Sequence, residues 1–178
     1  MIGAGDGPVT FTAGRMVPAK GFDLLLQAWT GIESPLIIAG DGPESARLEG
    51  LVRALSLTDR VHLIGHRGDV PALLTAADLV VLPSRREGFP YFLLEALSAG
   101  RVVVAARVPG ADEVLPEDYI VDVGDVPSLH ARVTAVLADL PAARRAFDPV
   151  WRRAREEFTL DRMVTKTEAV YADLLHRG

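Results

Sequence analysis

Cysteine is absent from all 178 residues, which excludes a disulfide framework and any thiolate metal site. Long apolar runs are missing too. None approaches the roughly 20 residues needed to span a bilayer, although 49% of the residues are hydrophobic. No charged or low-complexity block interrupts the chain, so a globular, soluble protein is expected. The net charge of −5 offers no general attraction to nucleic acid or anionic lipid. The first residues, Met1-Ile2-Gly3-Ala4-Gly5-Asp6-Gly7, lack both the basic and the apolar segment of a signal peptide. An intracellular, cytoplasmic location is the default expectation. Metal-ligand spacing is also lacking. His62 and His66 fall on a strand and its exit rather than on one helix face, and no carboxylate cluster stands near His130 or His176.

The length fits one domain with a real core. We divide the chain into a flexible lead, residues 1–8, and a domain, residues 9–178. Gly3-Ala4-Gly5-Asp6-Gly7 superficially matches a dinucleotide fingerprint. Such glycines must follow a strand and open a helix, whereas these precede the first strand, so a dehydrogenase is disfavoured.

What is present centres on Ala77 to Gly110, ADLVVLPSRREGFPYFLLEALSAGRVVVAARVPG. An apolar run, Leu79 to Leu82, ends at Pro83-Ser84. A polar loop comes next, then a helix expected over Tyr91–Ala99, then a second apolar run, Val102 to Ala106. Two short β-rich runs joined by a helix make a parallel β-α-β crossover. Ligands in such folds sit beyond the carboxyl ends of the strands, where this loop lies. Pro90 stands just before or at the first helical position, so the amides of Tyr91, Phe92 and Leu93 are expected to lack helical partners and to face an anion. Glu95 leans back toward the same cleft as Glu87, and carboxylates accept hydrogen bonds from vicinal hydroxyls. The pattern points to phosphate held by backbone and hydroxyls held by two glutamates.

The remaining strands are expected over Val9–Ala13, Leu36–Ala39, Val61–Ile64 and Tyr119–Val123, giving an α/β, doubly wound, Rossmann-like domain of about six mostly parallel strands. The first strand leads through Gly14-Arg15-Met16-Val17-Pro18-Ala19-Lys20-Gly21 into a helix over Phe22–Trp29. Arg15 and Lys20, one of only two lysines, flank this loop as a pyrophosphate clamp would. Gly40-Asp41-Gly42-Pro43 reads as a turn and cap, with Gly40 a close neighbour of a ligand. Leu48, Leu51, Val52 and Leu55 give the next helix one apolar face. An amphipathic helix runs from Val126 to about Leu140. Pro141 and Pro149 punctuate the segment after it, and two terminal helices are expected, with Phe158, Val170, Tyr171 and Leu174 as packing residues. Arg152, Arg153 and Arg155 read as a solvated helix face.

EGFPYFLLEALSAG, preceded by DLVVLPS and followed by RVVVA, resembles the Glu-x7-Glu signature of retaining glycosyltransferases with two Rossmann-like domains, especially family 4 (group 1, the GT-B architecture). FTAGRMVPAKGFDLLLQA resembles that family's phosphate-binding loop. The likeness covers roughly residues 9–175 and corresponds to the carboxyl-terminal, nucleotide-sugar-binding half. It implies that Arg15 and Lys20 contact the donor's phosphates and stabilise the leaving diphosphate. Glu95 would then hold the ribose and Glu87 a sugar hydroxyl, with Gly88, Phe89, Pro90, Tyr91, Phe92, Leu93 and Gly14 around them. Gly65, His66 and Arg67 would border the base. Two departures stand out: Pro109 replaces the first of a glycine pair before Gly110 and Glu113, and Tyr91 stands where many relatives have asparagine.

The resemblance implies sugar transfer from a UDP-, GDP- or ADP-sugar to an acceptor hydroxyl, with retention and without a metal or other cofactor. It also implies a missing amino-terminal acceptor domain, as in an excised half, a gene fragment or a split subunit. The chain alone would then be inactive, and the complete enzyme could lie peripherally at a membrane. A non-catalytic nucleotide-sugar-binding partner or regulatory subunit, and a sugar-nucleotide epimerase of the same architecture, stay open. A phosphorylase would need a pyridoxal-phosphate lysine, and Lys166, in a terminal helix, lacks such a setting.

Overall fold

The structure, a computed structural model, describes residues 7–176; most of the expected lead, residues 1–6, lies outside the described residues. Six strands form one sheet: β1 (Thr10–Ala13), β2 (Leu36–Ala39), β3 (Val61–Leu63), β4 (Leu79–Leu82), β5 (Val102–Ala106) and β6 (Ile120–Val121). Their order is β3-β2-β1-β4-β5-β6. All five pairings are parallel, with Thr10 opposite both Leu36 and Leu79. The central pair shows why these runs are strands. Every residue of β4 and β5 is buried, and a parallel strand covered on both faces reads as an unbroken apolar run. Val103 and Val104 are fully buried, each contributing about 1.5–3 kcal/mol relative to exposure.

The crossovers fix where the site must be. From β1 the chain winds outward through α1 (Phe22–Ala28) and α2 (Ser45–Ala54) to β3. It then returns through α3 (Val70–Ala76) to β4, beside β1, and winds the other way through α4 (Tyr91–Ser98). Right-handed connections therefore put α1 and α2 on one face and α3 and α4 on the other. The direction reverses between β1 and β4, and the loops leaving those strands must diverge there. α5 (Ala111–Val114) precedes β6. α6 (Val126–Ala138) packs on α1, and α7 (Leu140–Glu157) packs on α4.

Four features depart from the sequence expectations. α3 was not anticipated; only Leu74 of it is buried, too little for an amphipathic signature. β6 is two residues long, because Tyr119 ends a 3-10 turn and an edge strand bonds one neighbour only. α7 continues through Pro149 instead of starting after it. An interior proline costs about 3 kcal/mol, and here the buried side chains of Phe147, Val150 and Ala154 hold the helix against the core. The fourth departure is α8 (Leu160–His176). Val170, Tyr171 and Leu174, expected to pack, are 59%, 63% and 61% exposed. The apolar stripe is there, but among the described residues its large side chains stay exposed. Phe158 does pack against the core.

Candidate functional site

Three loops meet at the switch point backbone against backbone. In the loop after β1, Gly14 N–H donates to Ala39 O (3.0 Å) and Met16 N–H to Asp41 O (2.8 Å). Gly40, at the end of β2, has φ +143°, and a Cβ there would overlap the Gly14 carbonyl oxygen. Gly21 has φ +65°, and its Cβ would run into the carbonyl of Pro83, at the end of β4. Both positions require glycine, for the positive φ and for the close approach.

The loop after β4 is tied to the loop after β1. The Arg85 amide donates to Ala19 O (2.8 Å). Its guanidinium forks onto Asp23 of α1, Nη1 to Oδ1 at 2.6 Å and Nη2 to Oδ2 at 2.8 Å, and also reaches Pro18 O at 2.9 Å. This bidentate bond holds the Asp23 carboxyl below its usual range, against the opposing effect of burial.

The staple brings Lys20 and Glu87 together. Lys20 Nζ lies 2.6 Å from Glu87 Oε1, and the buried Ser84 hydroxyl donates to the same oxygen at 2.8 Å. Glu87 is thus a paired, mostly buried carboxylate, its side chain 13% exposed. Around this pair the cleft has two compartments. The smaller, of about 210 Å³, is lined by Thr12, Lys20, Ser84, Glu87 and the run Phe89 to Phe92. The larger, of about 750 Å³, is lined by Gly14, Arg15, Lys20, Gly40, Asp41, His66, Arg67, Phe92 and Glu95. Lys20 and Phe92 face both.

Arg15, Lys20, Glu87, Glu95, Gly14, Gly40, His66 and Arg67 therefore converge, though the two glutamates face different compartments rather than one. His66 and Arg67 are more exposed. Arg67 bonds Asp69 (2.8 and 2.7 Å) and holds that carboxyl low. Asp41 is held low by the Ser45 hydroxyl and then by the Gly42 amide. Other candidates are placed differently. Tyr91 N–H donates to Phe89 O (3.0 Å) and Leu93 N–H to Pro90 O (2.8 Å), so local carbonyls take two of the three helix-start amides expected to face an anion. Leu93 is fully buried in the core. Gly88 is exposed and lines neither compartment, and the Gly65 carbonyl accepts from Gly40 N–H at 2.7 Å. Gly110 lies under the Phe89 ring and Glu113 points to solvent. His130, given no role at a metal site, has Nδ1 2.8 Å from Ala28 O, linking α6 to α1. Sequence reasoning missed Asp23 and Arg85, which bond each other across 62 positions, and Ser84, whose partner Glu87 lies three residues on in the same loop.

Chemically, the larger compartment offers three cations, Arg15, Lys20 and Arg67, polar loop backbone and two carboxylates, Asp41 and Glu95. The smaller offers a carboxylate, a hydroxyl, and the Phe89 and Tyr91 rings in edge contact (6.1 Å). A family model described as "Glycosyl transferases group 1" matches residues 3–148. The chain is 32% identical over 149 residues to N-acetyl-alpha-D-glucosaminyl L-malate synthase of Bacillus anthracis, covering 82% of this chain and 39% of that protein. It is 31% identical to the lipopolysaccharide core biosynthesis glycosyltransferase LpsD of Rhizobium meliloti, over 97% of this chain and 50% of that one. The chain thus spans half or less of these relatives' length. Among solved structures, sucrose-phosphate synthase of Thermosynechococcus elongatus superposes with TM-score 0.87 at 28% identity, covering 97% of this chain and 47% of that one. HepE of Anabaena, crystallised in complex with UDP, superposes with TM-score 0.88 at 24% identity, over 94% and 49%.

Proposed function

Since the chain belongs to the glycosyl transferases group 1 family, we propose that it is the nucleotide-sugar-binding half of a retaining, family 4 glycosyltransferase. The carrying observation is that Arg15, Lys20, Glu87 and Glu95 converge on one two-part cleft at the β1–β4 switch point. The reading assigns the larger compartment to the nucleoside diphosphate and the smaller to the sugar. Lys20, between them, meets the diphosphate, and Arg15 adds a second positive charge. Glu95 accepts hydrogen bonds from ribose hydroxyls. Glu87 accepts one from the sugar and so orients the anomeric carbon.

Negative charge accumulates on the diphosphate as the glycosidic bond breaks. Fixed cations stabilise that charge more in the transition state than in the ground state. This role needs no metal ion. Attack and departure on one face of the sugar give retention. The acceptor, whose hydroxyl attacks, is bound mainly by the part of the enzyme that relatives carry beyond the matched half. By itself, the chain is expected to bind the donor but not transfer sugar.

The test is calorimetric titration of the purified chain with UDP, GDP and ADP and their common sugar conjugates, beside Lys20→Ala. Saturable binding to one nucleotide is expected, weakened at least about tenfold by the substitution, because a charge-assisted bond is lost. Binding that Lys20→Ala leaves unchanged would remove the diphosphate assignment. Transfer to an added acceptor by the isolated chain at ordinary enzyme rates would contradict its dependence on a second domain.

A further inference from the structure

Glu87 makes an asymmetric set of bonds. Oε1 accepts from Lys20 Nζ (2.6 Å) and from Ser84 Oγ (2.8 Å), while among the described residues no protein group bonds Oε2. Ser84 is 3% exposed at the end of β4, one residue after the strand-ending Pro83, and it lines the same compartment as Glu87. A buried hydroxyl two residues beyond a strand end is a fixed donor: the whole residue is buried close to the sheet, and its hydroxyl would cost energy without a partner. Lys20, by contrast, is a flexible side chain in a loop, facing both compartments.

We propose that Ser84 is a positioning residue for Glu87. It locks Oε1 against the strand end and leaves Oε2 to accept a hydrogen bond from a sugar hydroxyl of the donor. This rests on the donor-binding reading above. The two donors to Oε1 have different fates. A diphosphate in the larger compartment competes with Glu87 for Lys20, since both are anions bidding for one ammonium. When Lys20 turns toward phosphate, Ser84 is the bond that keeps Glu87 in place. Without it the carboxylate is free to rotate, and the sugar loses a preorganised acceptor while the nucleotide loses nothing.

The experiment compares wild type, Ser84→Ala and Ser84→Thr, each titrated calorimetrically with UDP, GDP and ADP and with UDP-glucose, GDP-mannose and ADP-glucose. Melting curves are recorded beside each titration. The quantity read is the ratio of affinity for a sugar nucleotide to affinity for its own nucleoside diphosphate. In wild type this ratio should exceed one. Ser84→Ala should lower it about threefold to tenfold, the worth of one hydrogen bond, with the nucleoside diphosphate affinity unchanged. Ser84→Thr, which keeps the hydroxyl, should restore it if its melting curve stays near wild type.

An unchanged ratio in Ser84→Ala overturns the proposal. Equal loss for nucleotide and sugar nucleotide overturns it too, because Ser84 would then merely support the cleft. A wild-type ratio of one removes the sugar contact of Glu87 while leaving nucleotide binding intact. No binding of any nucleoside diphosphate by wild type refutes the donor-binding reading itself, and this assignment with it. A ligand-free crystal structure of Ser84→Ala gives an independent reading. Glu87 should leave its position, and an unmoved carboxylate counts against Ser84.

Discussion

The helices at the switch point and the terminal helix α8 are both amphipathic, yet their apolar faces end differently. Phe22, Leu25, Leu26 and Ala28 of α1 are buried in the core. Leu160, Met163, Val164, Val170, Tyr171, Leu174 and Leu175 of α8 are all exposed, between 42% and 81%. Helical periodicity shows that a face can be buried; burial itself depends on whether the topology brings a surface to it. At the switch point the β1–β4 reversal supplies that surface and forces two loops together above it. At α8 the chain has left the sheet, and among the described residues its stripe does not join the core.

The largest expected effect falls on the loop junction. Gly40→Ala would place a side chain at φ +143° against the Gly14 carbonyl. Strain and overlap together should cost about 2–4 kcal/mol, measured by urea unfolding, and should displace the loop carrying Arg15 and Lys20. A variant that unfolds with the wild-type midpoint would show that the loops do not pack backbone against backbone.

The Arg85–Asp23 staple should give a middle-sized effect. Arg85→Ala leaves the largely buried Asp23 carboxylate with only Arg47, 3.8 Å away, and should cost about 1–3 kcal/mol at neutral pH. The dependence on pH has a definite sign. The folded carboxyl of Asp23 is held below its usual value by Arg85. Its contribution is therefore complete above the unfolded pKa of about 3.9 and is lost as pH falls through the lower, folded value. Unfolding curves of wild type and Arg85→Ala should converge between pH 7 and strongly acid pH. A gap that stays constant would mean that the cost comes from lost packing.

Deletion of α8 should have the smallest effect. A chain ending at Thr159 buries the same core, so its stability should change by less than about 0.5 kcal/mol. A larger loss would mean that α8 contributes to the body and would erase the contrast between the two regions.

How much the sequence disclosed depends on burial and on distance along the chain. β4 and β5 were legible because strands covered on both faces admit only apolar residues. Arg15, Lys20 and Glu87 stood out as charged residues in the segments after strand ends between apolar runs, and Glu95 as a carboxylate in the first turns of the helix that follows. α3 was not legible, since one buried leucine sets no period. Nor was the continuity of α7, because the cost of Pro149 is offset by side chains that meet the core only in three dimensions. The Lys20–Glu87 and Arg85–Asp23 contacts join residues 67 and 62 positions apart, and no local pattern encodes such a pairing.

By itself, then, the sequence determined the alternation of strand and helix, the parallel sheet and the loops that carry charge. Each of these depends on the local period of apolar residues and on turn chemistry. The tertiary structure alone decided three further things. It split the cleft into two compartments, brought Lys20 onto one oxygen of Glu87 from 67 positions away, and left the stripe of α8 exposed. All three depend on which segments the sheet order brings side by side, a property of the whole chain that no single stretch contains.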